Sequence, residues 1–129
     1  MAEASTLVIE AELQEVKRAR DFVALAFGAW GLEDHVARTV VSELAANAIE
    51  HGSSRGDPVV VRAYQREDGS PVVEVWDRSD VLPVVGPVDL CAEGGRGLRL
   101  MEALVRAWGV RHLSEGGKVV WAMIAPVPR

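Results

Sequence analysis

The order of elements in this 129-residue chain predicts an α/β fold. The expected architecture is a two-layer sandwich, with a mixed, mostly antiparallel sheet and helices on one face. Three observations carry this. Alternating apolar runs come in pairs joined by short Gly-containing turns, which is the pattern of hairpins. Apolar residues at spacings of three and four mark helices between those pairs. The hairpins alternate with helices instead of following a strict strand–helix–strand repeat.

Thr6 to Glu10 (TLVIE) reads as the first strand. From Ala11 a helical period sets in through Leu13, Val16, Ala19, Phe22, Val23, Ala26 and Phe27, and Gly28 and Gly31 punctuate its end. A second helix is expected from about Leu32, where Glu33 and Asp34 suit the positive end of the helix dipole, to Gly52. After the loop Ser53–Pro58 come strands Val59–Gln65 and Val72–Trp76, joined by the turn Glu67-Asp68-Gly69-Ser70. Arg78 to Glu93 has two prolines and no clean period, the character of a functional or mobile loop. Gly94-Gly95-Arg96-Gly97 opens a third helix whose apolar stripe is Leu98, Met101, Leu104, Val105 and Trp108. Strands Gly109–Leu113 and Val119–Ala125 close the chain around the turn Ser114-Glu115-Gly116-Gly117. The four tryptophans end or punctuate apolar elements and read mostly as core.

The length fits one domain, taken as residues 1–129. A hydrophobic fraction of 49% with 26% charged residues excludes a disordered tail or a fibre. The net charge of -5 repels phosphate backbones and argues against direct nucleic-acid binding. Cys91 is the one cysteine, so neither an intramolecular disulfide nor a CxxC zinc site can form, as suits a reducing cytoplasm. No run approaches the roughly 18 apolar residues of a membrane span, and the N-terminal stretch does not read as a signal peptide. The expectation is a cytoplasmic protein without a membrane partner.

Four local features could carry chemistry. Glu43, Asn47 and His51 recur every four residues, one polar line along the second helix. An Asn carbonyl is a hard ligand suited to Mg²⁺, and a Glu one turn away can accept a proton from a hydroxyl or water. The same line also reads as a solvated helix face. Asp77, ending an apolar strand, can accept a hydrogen bond from an exocyclic amine such as that of adenine, or can simply start a turn. The glycines at 94, 95 and 97 allow close backbone approach at a helix start, where free N–H groups suit an anion. They equally suit an ordinary flexible helix start. The loop Arg78–Glu93 lies between these last two features, where a nucleotide lid would sit, and also reads as plain surface. There is no HExxH, and His35, His51 and His112 are too scattered for a metal cluster.

Taken in this order, the features resemble the histidine-kinase-like ATPase superfamily, in its branch of bacterial anti-sigma-factor serine kinases and their actinobacterial relatives. Ser42-Glu43-Leu44-Ala45-Ala46-Asn47-Ala48-Ile49-Glu50-His51-Gly52 resembles that family's N box, E-L-x-x-N-A-x-x-H-G, at every fixed position. Gly94-Gly95-Arg96-Gly97-Leu98 resembles its second glycine box, and Trp108-Gly109-Val110 and Gly117-Lys118-Val119-Val120-Trp121 resemble its closing strands. The resemblance implies ATP and Mg²⁺ as cofactors. It implies Asn47 as the Mg²⁺ ligand, Glu43 as the general base, and Asp77 as the reader of the adenine amino group. It implies that Gly95, Arg96, Gly97 and Leu98 bind the cofactor, the two glycines through backbone N–H groups. Arg96 adds charge there on its own chemistry, and His51 matches the motif without an assigned role. The implied function is a serine/threonine protein kinase that phosphorylates an anti-anti-sigma antagonist and holds a sigma factor, with a homodimer as one assembly.

Two departures stand out. The family's first glycine box, D-x-G-x-G, is here Asp77-Arg78-Ser79-Asp80-Val81, without either glycine. The Thr common after the Gly of the last hairpin is absent from Gly117-Lys118-Val119. They motivate an alternative: a non-catalytic partner-binding module with a degenerate or absent nucleotide site. A slow ATPase without a protein substrate is a third reading.

Overall fold

The computed structural model describes residues 4–52, 56–79, 99 and 101–129. Strand β1 (Ser5–Glu10) leads through a 3-10 turn (Leu13–Glu15) into helix α1 (Val16–Ala29), and helix α2 (His35–Asn47) ends in a π-helical turn (Ala48–Gly52). Strands β2 (Pro58–Gln65) and β3 (Pro71–Asp77) follow, and β4 (Ala107–His112) and β5 (Lys118–Met123) end the fold. Residues 99 and 101–104 are helical. The sheet order is β1-β2-β3-β5-β4. All four described pairings are antiparallel, so the expected mostly antiparallel sheet is here antiparallel throughout.

Alternation along the strands separates the two faces of the sheet. Val59 and Val61 of β2, Val73 and Val75 of β3, and Val120 and Ala122 of β5 point into one hydrophobic cluster. From the helices that cluster receives Ala19, Val23 and Phe27 of α1 and Ala37, Val40, Val41, Leu44 and Ala45 of α2. Both hairpins use glycine where φ is positive: Gly69 in the first, Gly116 and Gly117 in the second. In the first turn the Asp68 carboxylate also accepts the Ser70 N–H at 2.9 Å.

Element boundaries differ from the expectation where local bonding intervenes. The Ala11 N–H donates to the Asp57 carbonyl, one step beyond the Glu10–Pro58 pair, so Ala11 stays beside β2 and the helix cannot begin there. Helix α2 starts at His35 because Gly31 turns the chain in a left-handed conformation and the Glu33 carboxylate accepts the His35 N–H. Trp108 belongs to β4 and not to the preceding helical stripe. It lies opposite Ala122, packs against the core, and donates its indole N–H to Glu102 at 3.2 Å. Trp30 also packs on the core, whereas Trp76 and Trp121 share the opposite face with Glu74.

That outer face has its own polar order. Glu74 is 2% exposed. It accepts from Arg62 at 3.1 Å, from Tyr64 at 2.9 Å and from the Trp76 indole at 2.9 Å. The guanidinium groups of Arg62 and Arg111 stack on the Trp76 ring. Trp121 lies flat over Gly109, where a Cβ would clash with its ring.

Candidate functional site

Helix α2 presents the first half of the candidate site. The Asn47 side-chain N–H donates to the Glu43 carbonyl oxygen at 3.1 Å. This anchors the amide nitrogen to its own helix and leaves the amide oxygen as the outward acceptor. Glu43, one turn earlier, has its carboxyl held above the ordinary value of 4.5, first by burial and then by the negative charge of Glu50. A partly buried carboxylate of raised basicity and an oriented amide oxygen therefore lie together on one helix.

The α-helical part of the polar line ends at Asn47. Residues 48–52 form a π turn, which is wider than an α turn and carries Glu50 and His51. His51 is exposed and lies 3.6 Å from its neighbour Glu50. Beside this turn runs a groove lined by Ala11, Glu12, Leu13, Gln14, Ile49 and Glu50, which contains none of the expected site residues.

The last residue of β3 presents the second half. Asp77 has the same parity as Val73 and Val75, so it points to the helix-covered side and is buried. Directly across the ladder stands Lys118, the first residue of β5. Its ammonium lies 2.9 Å from Asp77 Oδ1, with the two side chains 4% and 2% exposed. The Ser79 N–H donates to the same Oδ1 at 2.9 Å, and Lys118 Nζ donates also to the Ser79 carbonyl at 3.2 Å. Gly117 makes this approach possible: its φ is +89°, and a Cβ there would overlap the Asp77 carbonyl oxygen. The turn-starting role of Asp77 is thus present, and its carboxylate is additionally tied by a cation.

Lys118 stands out in the sequence as a departure from the resembled pattern, but its contact with Asp77 does not. A further signal was composition: Lys17 and Lys118 are the two lysines among 14 basic residues. A lysine between a glycine and a run of buried valines needs an anionic partner. Gly95, Arg96, Gly97 and Leu98 lie outside the described residues, as does most of the loop before them. Helix α2 and the π turn both pack against β3, so Glu43, Asn47 and Asp77 belong to the same side of the sheet.

Among the described residues no three His, Cys, Asp or Glu side chains gather into a metal cage. A magnesium held through a single side-chain oxygen together with substrate phosphates needs no such cage, and Asn47 fits that use. Asp77 fits an adenine amine poorly while Lys118 holds it. No helix among the described residues is long and apolar enough to cross a membrane.

The family model for the histidine kinase-like ATPase domain matches residues 9–124. Among solved structures, the chain is similar to the crystal structure of the RsbU and RsbW domains of Rv1364c from Mycobacterium tuberculosis, with a TM-score of 0.67 and 21% sequence identity. The match covers 98% of this chain and 34% of that one, so this chain spans about a third of that length. At this identity the likeness speaks for the fold. No curated protein matches at a significant level.

Proposed function

The chain belongs to the histidine kinase-like ATPase family, and from that premise we propose that it is a Mg²⁺- and ATP-dependent regulator of the anti-sigma-factor kinase type. In this reading residues 1–129 are one cytoplasmic domain. Its substrate is a Ser or Thr hydroxyl on an anti-anti-sigma antagonist, and its alternative partner is a sigma factor, bound by a homodimer. The observation that carries the proposal is the pairing of Glu43 with Asn47 one turn apart on α2, with the Asn47 amide nitrogen pinned to the helix.

When bound, ATP with Mg²⁺ would supply a phosphoryl group whose charge the metal offsets. Asn47 would hold the metal through its amide oxygen. Glu43 would accept the proton of the attacking hydroxyl, and its raised pKa makes it a stronger base for that transfer. Gly95, Arg96, Gly97 and Leu98 would hold the phosphates, and Asp77 marks the end where the base would lie.

The test is phosphoryl transfer to a purified antagonist. Glu43→Ala abolishes transfer and spares nucleotide binding; Asn47→Ala weakens Mg·ATP binding itself. Undiminished transfer by Glu43→Ala removes it as the base.

One observation favours a second reading, a partner-binding module that works without nucleotide: the Asp77–Lys118 ion pair occupies the carboxylate at the base end. That reading expects partner binding to be indifferent to Mg·ATP and to Asn47→Ala.

A further inference from the structure

We infer that Lys118 is a specificity-determining residue that removes adenine selection from the nucleotide site. The inference rests on placing the base at Asp77, as proposed above. An adenine amine is a donor and needs an acceptor. At this position it meets an ammonium, itself a donor, already engaged with Asp77 Oδ1 and with the Ser79 carbonyl. The Ser79 N–H fills a further direction at the same oxygen. For the amine to reach that oxygen, Lys118 must leave both partners, and an amine that turns to the second oxygen meets a carboxylate whose charge the ammonium already offsets.

Displacement is costly because the Lys118 side chain is 4% exposed, and its ammonium reaches water only with a shift of the chain. A buried cation stripped of its anion is strongly unfavourable. The cation cannot swing away readily either. Lys118 begins β5, in register with Asp77 on one side and His112 on the other, and Gly117 holds the backbone against Asp77. A purine with an oxygen at C6 meets no donor–donor conflict, since its oxygen can accept from the ammonium. The base end therefore gives the 6-amino group no advantage, and affinity comes from the phosphate and Mg²⁺ end at Asn47.

The experiment compares ATP with inosine triphosphate, which carries an oxygen in place of the 6-amino group and shares the phosphates. Calorimetry with Mg²⁺ is run on the wild type and on Lys118→Thr, with circular dichroism to check the fold. For the wild type the two affinities agree within about threefold, less than a hydrogen bond to a charged group is worth. Lys118→Thr, which takes the cation off the carboxylate and leaves a hydroxyl, prefers ATP by about tenfold or more. The wild-type ratio needs no variant and stands by itself if Lys118→Thr does not fold. A wild-type preference for ATP of about tenfold overturns the inference, because Asp77 then reads the amine past the lysine. A folded Lys118→Thr with an unchanged ratio overturns it too, and leaves the nucleotide reading intact. Binding of neither nucleotide to either protein overturns both.

Discussion

Strand β3 buries two carboxylates three residues apart, on opposite faces of the sheet, and holds them in different ways. Glu74 on the outer face accepts from three side chains, Arg62, Tyr64 and Trp76. Two of those donors are neutral, and the Arg62 side chain is 31% exposed, so the cation remains partly hydrated. Asp77 on the helix-covered face meets a buried cation and a backbone N–H at the same oxygen. The Glu74 network sets mostly neutral donors around a buried charge, whereas at Asp77 two opposite charges are buried in direct contact. The face that carries the proposed chemistry has the paired arrangement, and there a single residue change alters both stability and the set of donors a ligand meets.

The largest effect that breaks this contrast is expected at the pair. Asp77→Ala or Lys118→Ala alone breaks a buried ion pair and costs about 3–5 kcal/mol in urea denaturation. The double variant Asp77→Asn/Lys118→Met recovers most of that loss, because both charges are then removed together. If the double variant is as unstable as the two singles summed, the pair is not acting as a unit.

Glu74→Gln is expected to cost less, about 1–2 kcal/mol, since the amide oxygen still accepts from Tyr64 or Trp76 and Arg62 turns to water. A loss as large as that of Asp77→Ala would erase the distinction between network and pair.

The smallest effects sharpen the comparison with a third carboxylate, Glu43, which has neither arrangement. Its pKa is raised above 4.5 by burial and by Glu50. The folded protein therefore binds this proton more tightly than the unfolded chain does, and Glu43 lowers stability as pH rises from 4.5 through the raised value. Glu43→Gln raises the melting temperature at neutral pH, and the gain disappears below 4.5. An equal gain at both pH values would assign it to packing. Glu50→Gln, which removes the lesser cause, moves the Glu43 carboxyl titration part of the way down, as carboxyl NMR can read.

The parts of this molecule that were legible in its sequence are those written in neighbouring residues. The turns at Glu67–Ser70 and Ser114–Gly117 announce themselves because a left-handed backbone demands glycine locally. The Glu43–Asn47 spacing is legible because an α-helix has a fixed period. The π turn that carries His51 is marked by no local pattern. Trp108 continues the apolar spacing of the preceding helix, yet tertiary pairing with Ala122 draws it into a strand. Lys118 meets Asp77 across 41 positions, through a strand register that the intervening chain does not encode. The base end of the site was therefore readable as a motif and not as a contact.

The sheet order also bears on how the chain folds. Hairpins β2–β3 and β4–β5 close over short turns, whereas the seams β3–β5 and β1–β2 must bring together residues at least about 40 positions apart. Closing the longer loops costs more chain entropy, so these two seams are the late steps expected on topological grounds. Contacts absent from the folding transition state show their loss in the unfolding rate. In a chevron plot Asp77→Ala and Lys118→Ala should therefore steepen the escape from the native state and leave refolding nearly unchanged, while substitutions of Val61 or Val75 within the first hairpin slow refolding. The proposed base end would then sit on a part of the molecule that assembles late and opens early.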